Sequence, residues 1–214
     1  MSKIPTTLLI FFAMAGHHCG HAASAFPDKP VRYVVGGSVG GGADVLARTI
    51  GRKLGERWGQ QVIVDNRPGG GGIVSSEIVA RSSPDGHTLL MAFTSHVTNP
   101  SLYPKLPYDT VRDFAPVTMI ATIPNVLVLH PSVPADSLSA LVTLAKKKQL
   151  SFASTGSGAS SHLAGILLAH LTGTKLLHVP YKGAGPAITG VLSAETDLMF
   201  ATMVSILPQV KSGK

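Results

Sequence analysis

The sequence predicts an α/β fold arranged in two lobes. Strand-like and helix-like segments alternate along almost the whole chain. The strand-like segments are nearly continuous apolar runs, which is typical of parallel sheets with helices on both faces. Glycine- and serine-rich turns follow strands in both halves of the chain. These three observations define the fold class before any single motif is considered.

The first 25 residues form a segment that we assign to export and not to the fold. Lys3 supplies a positive charge, and the apolar run "TLLIFFAMAG" that follows is too short to span a bilayer. The small residues of "ASA" then offer a cleavage site before Phe26. We therefore predict a secretory signal peptide over residues 1–25. The single cysteine, Cys19, lies in it, so the mature chain is expected to have no disulfide.

The first lobe is predicted over residues 26–125. Leu46, Ile50 and Leu54 recur at helical spacing and mark the first helix. The turn Pro84-Asp85-Gly86 precedes the third strand, and a less regular, proline-rich stretch follows it. In order, the predicted elements are a strand at 31–35, a helix at 43–58, a strand at 61–66, a helix at 72–81, and strands at 87–93 and 117–122.

The second lobe is predicted over residues 126–214, with the boundary beside Pro124. The apolar run at 125–130 is its first strand, and alternation then resumes. The later elements are a helix at 137–148, a strand at 150–154, a helix at 162–171, a strand at 176–181, a helix near Pro186, a strand at 196–201 and a last helix that ends at 210–214.

The charge balance argues against a nucleic-acid partner. The chain has 18 Lys and Arg against 11 Asp and Glu, but the only dense basic cluster is 146–148. That cluster ends a predicted helix, where cations interact favourably with the helix dipole. Aromatic residues are few and do not alternate with basic ones. The basic excess therefore indicates a solvated surface, with an anionic small ligand as the second interpretation.

The loop after the first strand fits the hydrolase pattern G-x-S-x-G at 36–40, with Ser38 as the nucleophile. Asp109 or Asp113 and then His162 would complete the order Ser, Asp, His. However, Ser38 follows the first strand of the mature chain, so no earlier strand can supply the second oxyanion donor. An exported serine hydrolase therefore stays as the alternative function.

Cofactor and metal sites are not expected. Gly40 and Gly42 lack the third glycine of a dinucleotide fingerprint, because Val45 occupies its place. His162 and His170 project alike from one helix, but no carboxylate lies near them in the sequence to complete a metal site.

The same glycine-rich loop can instead bind an anion. The first turn of a helix has free backbone N–H groups, and glycines allow a carboxylate to approach them closely. The segment "TGSGASS" at 155–161 repeats this arrangement in the second lobe and adds hydroxyls. Two such loops across a cleft could hold an acid with a carboxylate at each end. The alternative, that both are tight turns with serine or threonine as N-caps, stays open.

Many segments of the chain resemble one known family, the substrate-binding proteins of tripartite tricarboxylate transporters, also called Bug-type receptors. The resemblance runs from Phe26 to Lys214 with the motifs in the family's order. It is carried by "FPDKPVRYVV", "GGGADVLAR", "VDNRPGGGG", "ARSSPDGHTLLM", "NPSLYPKLPYDTVRDFAPVTMIA", "PNVLVLHPSVPA", "SFASTGSGASSHLAG", "HVPYKGAGPAITG" and "DLMF".

The resemblance implies a periplasmic binding-protein fold of type II and a receptor without enzymatic activity. Such a receptor captures a small di- or tricarboxylate, or a related organic acid, between its lobes and delivers it to the membrane subunits of the transporter. We expect a monomer with no cofactor. Carried over by motif, the ligand-binding residues are Ser38, Val39, Gly40, Gly41 and Asp44 in the first loop, Thr94, Ser95 and His96 after the third strand, and Ser154, Thr155, Gly156, Ser157, Ser160 and Ser161 in the second lobe.

Three departures from the family pattern bear on these expectations. The loop at 36–39 lacks the usual proline and phenylalanine, which removes an aromatic wall. Ala201 and Thr202 stand where the family commonly has an acid and a polar residue, so we expect no amino-acid ligand. The family also continues well beyond the equivalent of Lys214. We therefore expect an incomplete second lobe, a missing return segment and a gene fragment that folds poorly.

Overall fold

The computed structural model describes residues 26–213. The predicted signal peptide and Cys19 lie outside these residues. The described chain forms one sheet of three strands and one of four, with helices packed on both. This confirms the predicted α/β class. Within the same range, none of the helices has the length and apolar character needed to cross a bilayer.

The first sheet has the order β2-β1-β3 and is parallel throughout. Its central strand is the most buried, with Val31, Val34 and Val35 fully buried. Because all three strands run in the same direction, their carboxyl ends meet at one edge of the sheet. The strands are β1 (Val31–Val35), β2 (Val62–Asn66) and β3 (Thr88–Met91).

Two helices cover this sheet. Helix α1 (Gly42–Trp58) packs on β1 and β2 and ends at Gly59, which adopts the left-handed conformation of a helix C-cap. Helix α2 (Ile73–Ala80) packs on β1 and β3 and follows a 3₁₀ turn, Gly70–Gly72. The core between α1 and the sheet contains Tyr33, Val35, Ala47 and Met91.

The chain after β3 differs from the sequence prediction in two places. Helix α3 (Thr94–Leu102) forms where an irregular stretch was predicted, although Pro100 lies inside it. Ser95 and Asn99 on this helix are buried, so tertiary contacts override the local effect of the proline. The strand predicted at 117–122 is wrong. No described strand pairs with this segment, and Val117 is 84% exposed.

The second sheet has the order β4-β7-β5-β6. Strands β5, β6 and β7 are parallel, as predicted, but β4 runs antiparallel to β7, with Asn125 opposite Thr202. The strands are β4 (Asn125–Leu129), β5 (Leu150–Ser154), β6 (Leu176–Pro180) and β7 (Leu198–Thr202).

Helices α4 to α7 alternate with these strands and bury both faces of β5 and β7. One core contains Leu141, Leu150 and Phe152, and another contains Ala153, Met199 and Ile206. Each sheet draws its strands from one half of the chain, while the lobe limits at residues 125 and 126 stay a prediction. The helices are α4 (Leu138–Lys147), α5 (Ser160–Thr172), α6 (Ala184–Leu192) and α7 (Met203–Lys211).

Candidate functional site

A cavity of about 1810 Å³ extends along the first sheet, past Phe26 and Trp58, and includes the cleft where the carboxyl ends of strands from the two sheets face each other. The loops after β1, β3, β5 and β6 line it, together with Thr202 at the end of β7. The carboxyl ends of parallel strands are the usual ligand site in open α/β sheets. The topology therefore places the predicted loops of both lobes around one cavity.

Four helices begin in the lining of this cleft. Their first residues are Gly42 of α1, Thr94 of α3, Ser160 of α5 and Ala184 of α6. The first turn of each helix leaves backbone N–H groups without an intrahelical partner and carries the positive end of the helix dipole. Four such ends around one cavity create a strong preference for anions.

The charged side chains of the lining are few, and they do not by themselves favour an anion. Among the described lining residues they are Lys182, Asp44 and Asp113. Asp44 is paired with Arg48, and Asp113 is exposed. Within the described chain no three histidine, cysteine or carboxylate side chains are placed to hold a metal ion. The chemistry offered to a ligand therefore comes from backbone amides, hydroxyls and one lysine.

Asp44 holds the loop after β1 from within the protein. It is 3% exposed, its Oδ2 accepts a hydrogen bond from the Gly40 N–H at 2.9 Å, and its Oδ1 lies 2.9 Å from Arg48 Nη2. Arg48 also donates to Asn66, which donates in turn to the Gly37 carbonyl at 3.2 Å. Burial raises the pKa of Asp44, but the hydrogen bonds that it accepts outweigh this, so its pKa lies below the ordinary value.

Ser38 connects the two lobes. Its Oγ accepts a hydrogen bond from the Gly185 N–H of α6 at 3.2 Å. A Cβ atom on Gly183 would lie 2.6 Å from the same oxygen, so the close approach requires glycine there. Val39 and Gly40 are exposed at the tip of the loop, and Gly41 is buried beside Ser38.

The side chains proposed for a hydrolase triad make other contacts. The hydrogen bonds of the described residues do not join Ser38 to a histidine. His162 Nδ1 accepts a hydrogen bond from the Gly158 N–H, and Asp109 accepts hydrogen bonds from Arg112. Ser38 therefore acts as a hydrogen-bond acceptor for α6 and is not paired with a general base among the described residues.

The loop after β3 contributes a helix start and an aromatic wall. Thr94 is exposed at the start of α3, whereas Ser95 is buried. The His96 ring stacks on Tyr108 with centroids 5.8 Å apart, and its Nδ1 lies 3.0 Å from Ser76 Oγ. Burial lowers the pKa of His96 despite a hydrogen bond to the Thr110 backbone. His96 thus lines the cleft as a neutral ring held by its neighbours.

The loop after β5 uses its hydroxyls internally. Ser161 Oγ accepts a hydrogen bond from the Thr155 N–H at 3.0 Å. Ser154 Oγ accepts one from the Gly156 N–H at 3.2 Å and lies 2.6 Å from His178 Nε2. Ser154 and Ser161 are buried and absent from the cleft lining. The predicted residues that do line the cleft in this loop are Thr155, Gly156, Ser157 and Ser160.

Several parts of the lining were not among the predicted site residues. They include the loop after β6, Tyr181 to Gly183, the glycine turn at 69–72, the segment 113–121 and apolar residues of α1. The segment "YKGAG" has the same glycine-rich helix start as the two predicted loops, which is the signal that could have identified the first. The glycine turn contacts the second lobe directly, since a Cβ on Gly71 would lie 2.5 Å from the Ser157 carbonyl oxygen.

The described geometry agrees with the similarity of this chain to known proteins. The model of the tripartite tricarboxylate transporter family receptor matches residues 46–214. A curated Pseudomonas protein, the UPF0065 protein in the tcbD-tcbE intergenic region, is 46% identical over 187 residues. That alignment covers 85% of this chain and 54% of the relative, so the chain spans about half the length of that protein.

Solved structures show the same fold. The periplasmic binding protein BugD is 34% identical with a TM-score of 0.84. A protein from R. palustris solved with adipate is 32% identical with a TM-score of 0.85. Both alignments cover 88% of this chain and 64% of the other chain. The predicted periplasmic binding-protein fold is thereby confirmed over the part of those proteins that this chain spans.

Proposed function

The chain belongs to the family of tripartite tricarboxylate transporter receptors, and we propose that it binds a small carboxylate between its two lobes. The observation that carries this proposal is the convergence of four helix starts on one cleft with no unpaired buried acid in the described lining. Peptide N–H groups at helix starts bind carboxylates without side-chain cations. A site of this kind has donors on both lobes and suits an acid with a carboxylate at each end.

The ligand class follows from the chemistry of the walls. Position 201 is a buried alanine, and Thr202, the next residue, hydrogen-bonds to Ser205 Oγ at 2.7 Å. An ammonium group would therefore find no carboxylate at the end of β7. The relative solved with adipate supports a dicarboxylate as ligand. We assign the site to di- or tricarboxylates without an amino group.

Twelve of the fourteen predicted site residues divide into two roles in this proposal, while Val39 and Gly40 at the exposed tip of the first loop do not line the cleft. The backbone or hydroxyl groups that face the cleft contact the ligand, and the buried groups hold the loops in place. The contacting group contains Ser38, Gly41, Thr94, Thr155, Gly156, Ser157 and Ser160, and the holding group contains Asp44, Ser95, His96, Ser154 and Ser161.

The remaining parts of the proposal concern the cell. The family assignment and the likeness to BugD support a periplasmic location and delivery of the ligand to the membrane subunits of a transporter. In this role the protein binds as a monomer and performs no chemistry on its ligand. The same proposal includes the membrane partner and a signal peptide at residues 1–25 that directs export.

Thermal unfolding of the purified protein with a panel of acids tests the function. Acetate, adipate, citrate and aspartate are compared at equal ionic strength. A ligand that binds only the folded state stabilises it by about 2.7 kcal/mol at one hundred times its Kd. We expect adipate or citrate to raise the unfolding temperature and aspartate to leave it unchanged. A folded sample that responds to none of the acids, with Ser38 labelled by a fluorophosphonate, would favour the hydrolase instead.

A further inference from the structure

We propose that His162 is a positioning residue of the carboxylate site, and that it acts only while its ring is neutral. This inference rests on the proposed function and concerns how one loop of the same site is held in place. His162 lies in the first turn of α5, directly after the loop of residues 155–159 that lines the cleft. Its ring orients one peptide bond of that loop, and this peptide contacts the opposite lobe.

The oriented peptide joins Ser157 and Gly158. His162 Nδ1 accepts a hydrogen bond from the Gly158 N–H at 3.2 Å. The N–H and C=O of a trans peptide point in opposite directions, so this bond turns the Ser157 carbonyl away from the ring. That carbonyl faces the first lobe, where a Cβ on Gly71 would lie 2.5 Å from its oxygen. The ring and the first lobe therefore lie on opposite sides of one peptide.

The neighbouring peptide makes a second contact with the first lobe. The Gly158 carbonyl accepts a hydrogen bond from Thr98 Oγ1 of α3 at 2.9 Å. Gly158 has φ +78°, and a Cβ there would lie 2.8 Å from both Thr98 Oγ1 and Leu102 Cδ1. The loop thus reaches α3 only in the conformation that His162 supports. Losing the bond from Gly158 frees both peptides to rotate and loosens the contact between the lobes.

The chemistry of the ring makes this support dependent on protonation. Nδ1 accepts a hydrogen bond only when it carries no proton, so the bonded ring is neutral. Protonation would set an N–H on Nδ1 against the Gly158 N–H, two donors about 3.2 Å apart. The loop would then have to turn away from the ring. Acid therefore removes the same contact that an alanine substitution would remove.

The surroundings keep the ring neutral near neutral pH. His178 of β6 stacks on His162 with centroids 4.0 Å apart, and Phe152 of β5 stacks against both rings, at 4.9 Å from His178 and 6.4 Å from His162. Strands β5 and β7 carry no titratable residue, and α5, α3 and β6 carry no carboxylate. The other titratable groups on these elements are His170 of α5 and His96 of α3. A second imidazolium would face only histidines.

Burial and the neighbouring ring act in the same direction. Burial lowers the pKa of His162, and burial together with His162 lowers the pKa of His178 to about 4. An anion in the cleft would attract a proton to the pair and so strengthen binding in acid. We expect the lost hydrogen bond to outweigh this attraction. The two effects change the affinity in opposite directions as the pH falls, so the sign of the change distinguishes them.

The experiment measures adipate affinity by calorimetry at pH 7.5 and pH 4.5 for the natural protein, His162→Asn and His162→Ala. The asparagine side-chain oxygen occupies the place of Nδ1 but does not titrate. At pH 7.5 we expect His162→Asn to bind like the natural protein and His162→Ala to bind about tenfold more weakly, the loss of one buried hydrogen bond. At pH 4.5 the natural protein should bind more weakly than His162→Asn. Because each comparison uses the same acid at the same pH, titration of adipate cancels.

The matched control is His170→Ala, which removes an exposed histidine from the same helix and should change neither affinity nor its pH profile. Affinity of the natural protein that rises relative to His162→Asn in acid would overturn the inference. So would His162→Ala that binds as tightly as the natural protein at pH 7.5.

A second measurement needs no ligand and separates this inference from the proposed function. Hydrogen exchange of residues 155–159 is followed in the same four proteins at each pH. His162→Ala should exchange about tenfold faster than His162→Asn at pH 7.5, and equal rates would overturn the inference. If no acid binds at any pH while exchange follows this order, the proposed function fails and the positioning role of His162 stands.

Discussion

Asp44 illustrates how a buried residue of the cleft lining can act by holding a loop. The side chain lies beneath the loop after β1, and its two oxygens engage Gly40 and Arg48. The family resemblance implied Asp44 as part of the site, and the structure shows a residue that hydrogen-bonds to the loop from within the protein. Side-chain direction within a first helical turn depends on packing, so the sequence alone could not separate these two roles.

Replacing Asp44 by asparagine should destabilise the loop and weaken binding. The amide keeps one acceptor for the Gly40 N–H but loses the ion pair with Arg48, and we expect a loss of about 1–2 kcal/mol in unfolding free energy. Affinity for adipate should fall about tenfold. Urea unfolding and calorimetry measure the two effects. Lys53→Met removes an exposed ion pair on the same helix and should change neither quantity by a comparable amount. Asp44→Asn with unchanged affinity would exclude the positioning role.

At the scale of elements, the periodicity of the sequence predicted most helices and strands, while two kinds of feature escaped it. Helix α3 forms around Pro100 because Ser95 and Asn99 are buried by partners distant in sequence. Strand β4 runs antiparallel to β7 because of the way the chain crosses between the sheets. An apolar run predicts a strand but does not predict its direction relative to its neighbours. The segment at 117–122 has the composition of a strand but no described neighbour to pair with.

The start of α5 allows one backbone donor to be removed alone. Proline is tolerated at the first residue of a helix because its φ fits and the lost N–H has no intrahelical partner. Ser160→Pro should therefore fold normally while deleting one amide that faces the cleft, and Ser160→Ala, which deletes only the hydroxyl that proline also removes, is the reference that isolates the amide. We expect adipate affinity to fall about tenfold or more, since hydrogen bonds to charged groups contribute about 1.5–3 kcal/mol. Calorimetry measures the change.

The control places the same substitution outside the cleft. Leu138 is the first residue of α4, is 57% exposed and does not line the cavity. Leu138→Pro should leave the affinity unchanged. Equal affinities for both proline variants would show that the start of α5 does not contact the acid.

At the scale of the whole molecule, stability should depend on two acid-sensitive groups in separate pH ranges. His162 and His178 have pKa values below the ordinary value in the folded protein, that of His178 at about 4. The unfolded chain therefore binds protons first as pH falls. The stability that these neutral rings provide is complete above about pH 6.5 and declines between about 6.5 and 4. The carboxylates of Asp44 and Asp65 have lowered pKa values and lose their contribution only below that range.

The unfolding free energy should fall by about 1 kcal/mol between pH 7.5 and pH 4.5 through His178, because solvent screens a partly exposed ring. His178→Gln should flatten this slope, and urea titrations at three pH values measure it. A slope that is unchanged in His178→Gln would contradict the assignment. The same titrations test the prediction that the chain folds poorly, because a cooperative transition would refute it.

The proposed binding site, made of peptide groups, has a consequence for how the molecule tolerates genetic variation. Nineteen of the twenty amino acids carry the same backbone donor, so nearly every substitution at the helix starts preserves the hydrogen bonds and changes only the walls around them. The shape of the proposed site depends instead on the conformations of the glycine turns, such as Gly156 at φ +136° and Gly183 at φ +114°. Drift in the cleft can therefore retune which acid fits while the capacity to bind a carboxylate persists.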